Sequence, residues 1–210
     1  MKFHVLVSAV CLSGAALIGS IPAAQAATTI FEAILNGAND GTNSPGTGVA
    51  IIALDQTNQT LQVSATFSGL TSNTVAAHIH CCQTTPGVGN VGVATTMPTF
   101  PALPGFPGFP LGVTSGTFSS GLYDLTDSLI YNPTFVTARG GIPQAEAALI
   151  AGLFNGSTYF NIHTSNFPGG EIRGQLNAVP LPTALPVFAT GLGALGLLGW
   201  RRKKKVQAAV

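Results

Sequence analysis

Leu61-Gln62-Val63-Ser64-Ala65-Thr66-Phe67, closed by Ser68-Gly69, is the stretch whose reading decides the fold. Its apolar residues occupy every second position, with Gln, Ser and Thr between them. Successive side chains of a strand point to opposite faces, so this alternation describes a strand with one face in a core and one in water. Six more runs have the same period: 30–35, 49–54, 76–81, 116–122, 158–164 and 171–176. Gly, Asn and Pro separate them. Seven short strands with such turns predict an all-β fold, an antiparallel Greek-key β-sandwich.

Two segments break the period. Ile142-Pro143-Gln144-Ala145-Glu146-Ala147-Ala148-Leu149-Ile150-Ala151-Gly152 has Pro at its entry, Ala-rich helix formers and a terminal Gly, so it predicts one short inserted helix. Met97 to Leu111 carries Pro98, Pro101, Pro104, Pro107 and Pro110, spaced by three, and cannot join a ladder. It reads as a long extended loop, either a linker or an Ω-type loop docked through Phe100, Phe106 and Phe109.

Both ends of the chain read as targeting. Lys2, the apolar run Val5 to Ile18 and the small-x-small site Ala24-Gln25-Ala26 make the three-part pattern of a signal helix over residues 1–26. At the other end, residues 179–205 run from Val179-Pro180-Leu181-Pro182 through an apolar stretch, 183–200, to Arg201, Arg202, Lys203, Lys204 and Lys205. About eighteen apolar residues suffice to cross a bilayer as a helix. The basic cluster then holds the C-terminus on the cytoplasmic side. Between these ends lies a stretch of one-domain size, residues 28–177.

Charge narrows the partners of that domain. Of the eight Lys and Arg in the chain, only Arg139 and Arg173 fall within it, while all seven Asp and Glu do, leaving it formally at −5. A nucleic-acid surface is excluded, because phosphate neutralisation needs clustered Lys and Arg. No Ser-His-Asp order, phosphate loop or glycosidase-like carboxylate pair stands out, so no catalytic residues are assigned. Asp124 and Asp127 read as turn formers. Glu171 and Arg173 share a strand face and are expected to pair with each other or across the sheet.

Three blocks of the domain resemble the CHRD domain: Phe31-Glu32-Ala33-Ile34-Leu35-Asn36-Gly37, Ala77-His78-Ile79-His80, and Tyr159 to Thr164 with Gly169-Gly170-Glu171-Ile172-Arg173-Gly174-Gln175-Leu176. The resemblance implies a β-sandwich module of exported proteins. More loosely, the His-x-His strand is similar to that of copper/zinc superoxide dismutase. A dinuclear site of that kind needs six His and an Asp, against three His in residues 28–177, so that activity is not implied. The C-terminal segment resembles the PEP-CTERM sorting tail, with Val179, Pro180, Pro182, Arg201, Arg202 and Lys203 as its matching residues and Leu181 where that family carries Glu. This implies an exosortase-like processing enzyme as partner, and delivery to the cell surface or an extracellular matrix with exopolysaccharide or surface proteins.

The histidines carry the chemistry. His78 and His80 are two apart on one strand and so share a face, opposite Ala77 and Ile79. His163 alternates in the same way with Phe160 and Ile162. With the apolar sets inside, all three imidazoles are expected on outer faces, and Cys82 continues the parity of His78 and His80. One reading is structural, with the imidazoles bonded to neighbouring carbonyls or to Glu171 or Asn161. The alternative is a mononuclear copper or zinc site built from His78, His80, His163 and Cys82. Consecutive Cα atoms stand about 3.8 Å apart across a trans peptide, below the usual disulfide range. Cys81 and Cys82 are therefore open to a bridge with each other, a bond to another chain, burial as thiols, or ligation through one sulfur. The expected role is that of a structural, adhesive or interaction module, with metal binding as the alternative.

Overall fold

The computed structural model describes residues 28–97 and 99–180. The expected signal segment 1–26, the expected membrane span 183–200, Pro182 and the basic residues Arg201, Arg202 and Lys203 lie outside the described residues. Among those described, no helix is long and apolar enough to cross a membrane.

Alternation becomes architecture in the first three strands. β1 (Thr29–Asn36), β2 (Thr47–Asp55) and β3 (Thr60–Ser68) form an antiparallel meander, in register from Thr29↔Leu54 and from Thr47↔Ser68. Leu61, Val63, Ala65 and Phe67 are buried, and Phe31, Ala33, Leu35, Ala50, Ile52 and Leu54 line the same core. Each fully buried Leu, Ile or Phe contributes about 1.5–3 kcal/mol, which fixes the register, since a slip of one residue would turn every core side chain outward.

The remaining strands extend the meander on both sides. β4 (Thr74–His80), β5 (Gly116–Ser119), β6 (Tyr123–Asp124), β7 (Tyr159–Thr164), β8 (Ile172–Gln175) and β9 (Asn177–Ala178) complete one sheet in the order β4-β7-β8-β1-β2-β3-β5, with β6 on β3 and β9 on β1. The fold is mostly β and antiparallel, as the strand pattern requires. Instead of two stacked layers, the ladder is unbroken from β4 to β5 and curls into a half-barrel. The join lies at β1 and β8, paired at Asn36↔Arg173. There Gly174 approaches β1 so closely that any Cβ would collide with Ile34 O.

The Pro-rich segment fills the open side of the curl. Phe100 is fully buried, stacked at 5.9 Å on both Phe160 of β7 and Phe118 of β5, while Phe109 lies 5.5 Å from Phe67. The docked loop, not the linker, is what forms, although Phe106 stays exposed. Backbone pairs seal it, with Thr74 O receiving Gly112 N and Phe100 O receiving Phe109 N.

The helical content exceeds the single insert expected. α1 (Gly37–Asp40) is one turn capped by Asn36, and a 3-10 turn spans Ser128–Ile130. α2 (Pro133–Arg139) starts at Asn132, whose side chain accepts from Thr134 N, and ends at Gly140 with φ 94°. That Asn-Pro start and Gly stop were readable in the sequence. α3 (Ile142–Phe154) runs two residues past the expected end and buries Ala145, Leu149 and Leu153 on the core.

Candidate metal centre

The polar face of β4, β7 and β8 is where the candidate side chains meet. On β4, Ala77 and Ile79 enter the core and turn His78 and His80 to the opposite face; on β7, Phe160 and Ile162 do the same for Tyr159, Asn161 and His163. The register sets His80 against Tyr159, His78 against Asn161, and Ala76 against His163. His163 is therefore the diagonal neighbour of His78, within reach of side chains of this length.

This face is not open to water, contrary to the expectation for an outer face. His78, His80 and His163 are 3%, 7% and 7% exposed. The chain after β4 and the turn after β7 lie over them and offer backbone carbonyls. His80 Nδ1 donates to Val91 O at 2.7 Å, and His163 Nδ1 donates to Pro168 O at 3.0 Å. Each of these donations leaves Nε2 of a neutral ring as an acceptor only. In both rings the carbonyl thus fixes the tautomer, as outer partners do for metal-ligating imidazoles.

The ring nitrogens converge. With its Nδ1 proton on Pro168 O, His163 Nε2 accepts from His78 Nδ1 at 3.2 Å, and one ring nitrogen from each of the three histidines lies within 4.8 Å of the others. His80 Nε2 is buried with no hydrogen-bond partner. Burial drives the His80 pKa down to about 4, with the charges of His163 and Arg173 adding to it and the Val91 carbonyl opposing. Burial also lowers His163, against the pull of Pro168 O. Both rings are neutral near pH 7, the state in which imidazole ligates metal.

Cys82 does not join the three histidines. Cys81 and Cys82 are bonded to each other across a cis peptide, their sulfurs 3.6 and 3.4 Å from Ala148 O of α3. Carbonyls, not Glu171 or Asn161, hold Nδ1 of His80 and of His163. Glu171 and Arg173 are not a pair either. Glu171 is fully buried and accepts from Ser44 Oγ at 2.6 Å, Thr71 N at 2.7 Å and Thr164 Oγ1 at 2.5 Å. Arg173 lies 3.6 Å from Asp40 Oδ1 and donates to Asn39 O and Asn90 Oδ1. The sequence placed these two charges on one strand, but Glu171 lies just before β8 and is buried.

Tyr159 is the site residue the sequence reading missed. Its ring stacks on His80 at 4.6 Å with a 10° tilt, the Arg173 guanidinium sits 4.8 Å from its centre, and its hydroxyl accepts from Val91 N and donates to Val91 O. It shares parity with Asn161 and His163, and that parity was the available signal. Tyr159, Arg173, Asn39, Gly87 and Gln175 line a small cavity of about 130 Å³.

Fold and site together define a class: a curled antiparallel half-barrel with three buried histidines on the face away from its apolar core. The family model of the CHRD domain matches residues 31–176, and the chain belongs to that family. Among curated proteins the sequence finds no match.

Proposed function

We propose that this CHRD domain is an exported metal-binding module in which His78, His80 and His163 hold a single copper or zinc ion. One observation carries the reading: His80 Nε2 is a buried lone pair with no partner, facing two other imidazoles whose nitrogens lie within 4.8 Å. A buried polar atom left unpaired costs about 1–3 kcal/mol, and an ion there removes that cost. Zinc–nitrogen bonds of about 2.0–2.1 Å place tetrahedral ligands roughly 3.3 Å apart. The 3.2 Å between His78 and His163 fits that spacing. Neutral imidazoles suit copper and zinc and leave room for a further ligand from outside the cluster.

Export is part of the proposal. It is supported by the three-part pattern of residues 1–26, by the Pro pair, apolar span and basic end of the PEP-CTERM-like tail, and by a disulfide, which persists in oxidising compartments. An exosortase-like enzyme is the processing partner, with the membrane holding the unprocessed chain through its tail. A surface with few charges supports a second reading, a structural or adhesive role beside exopolysaccharide or surface proteins.

Metal analysis and thermal unfolding of the purified full chain test the first reading. One ion per chain, a raised Tm on adding zinc or copper, and loss of both in His80→Ala are expected. At a hundred times Kd the gain is about 2.7 kcal/mol. A chain that carries no metal, and whose Tm neither ion moves, ends the reading.

A further inference from the structure

We propose that the Cys81–Cys82 disulfide is a redox latch on the histidine site, so that the oxidised chain holds its ion and the reduced chain releases it. The inference rests on the metal reading above. It starts from a shared length of backbone. Val91 O fixes the tautomer of His80, and the next residue, Gly92, accepts from the amide of Cys81. His80 and Cys81 are consecutive, so the ligand and the disulfide grip the same two residues of the covering loop.

The packing around the sulfurs makes their bond matter to that grip. Cys81 is 4% exposed, and both sulfurs press on α3 at Ala148 O and Gly152. A Cβ on Gly152 would lie 2.7 Å from Cys81 Sγ and 3.3 Å from Cys82 Sγ, so the helix leaves no slack on this side. Reduction by a dithiol breaks the S–S bond. Each sulfur gains one electron and one proton, and the donor closes to its own disulfide. The sulfurs then separate to non-bonded contact, with α3 barring the way. The residues that yield are Cys81 and Cys82 themselves, and with them the Cys81 amide that holds Gly92. Val91 O shifts from His80, the ring loses its fixed tautomer, and the three ring nitrogens no longer converge.

Zinc and cobalt titrations of the full chain test the latch, comparing the oxidised protein with a Cys81→Ser, Cys82→Ser double variant, which lacks the bond and adds no thiolate ligand. At least tenfold weaker binding in the variant is expected. The metal-free chain gives a second readout, usable even if that variant does not fold. By imidazole ¹⁵N shifts, His80 should be the Nδ1–H tautomer in the oxidised protein and a tautomer mixture after reduction by a dithiol. Equal affinity in the two proteins, or an unchanged His80 tautomer on reduction, overturns the latch and leaves the metal reading standing. Absence of zinc and cobalt binding in the oxidised chain removes both.

Discussion

His163 and Thr164 are consecutive residues of β7 that point into two different buried polar clusters. Thr164 belongs to a saturated one. The Glu171 carboxylate accepts from Ser44, Thr71 and Thr164, and these donors hold its pKa below the usual carboxylate value even though burial pushes it up. His163 belongs to an unsaturated one, in which its Nε2 is hydrogen-bonded to His78 Nδ1 but His80 Nε2 has no donor. The contrast separates two uses of buried polarity. A cluster whose bonds are all made ties loops together, whereas one that lacks a partner is, on the metal reading proposed above, completed by an ion.

The largest effect expected from breaking this comparison is on the saturated side. Glu171→Ala strands three donors from three separate segments, around residues 44, 71 and 164, and should cost about 3–5 kcal/mol in denaturant unfolding of the metal-free chain. His80→Ala under the same conditions should cost less, because it breaks one bond, to Val91 O, and the stack on Tyr159, while its Nε2 has no partner to lose. Equal losses in the two variants would erase the distinction between clamp and site.

Acid should separate the clusters next. The folded pKa of His80, about 4, lies below its ordinary value near 6.5, so between those values the unfolded chain binds a proton that the folded chain does not. Stability is full above about pH 6.5 and falls as pH drops toward about 4, by roughly 3 kcal/mol from His80 alone; His163 is shifted in the same direction. Glu171 behaves otherwise: its stabilisation is present above the ordinary carboxylate range and is lost only as pH falls through its lower folded pKa. Urea midpoints of the metal-free chain should therefore decline in two stages. His80→Ala should remove much of the upper stage and spare the lower, and a single carboxylate-range transition in the parent chain would contradict the burial of the histidines.

Much of this was legible in the residues. Period-two runs located all seven principal strands, and parity put His78, His80 and His163 on faces opposite the core. The exposure of those faces was not legible, because it depends on Val91 and Pro168, whose carbonyls cover the rings and carry no side-chain signature. The curl was hidden for a similar reason. Alternation reports which side of a strand is buried, not whether the next layer is a second sheet or the same one bent round, and here Phe100 and Phe109 of the Pro-rich loop occupy that space. Glu171 was misplaced because strand parity was carried through a residue that precedes β8.

The smallest effect, and the sharpest on the site side, concerns Arg173. Its guanidinium is partly exposed, pairs with Asp40 and covers Tyr159, so Arg173→Met should cost only about 1 kcal/mol. Its second consequence is electrical. Arg173 adds to the effect of burial in depressing His80, so removing its charge should move the His80 midpoint upward in an NMR titration of the metal-free chain. Glu171 gives the contrast, since its three donors are Ser44, Thr71 and Thr164, and its titration should hardly move. A His80 midpoint unchanged by Arg173→Met would mean that burial alone sets it, and that the Arg173–Tyr159–His80 stack is packing without electrostatic reach.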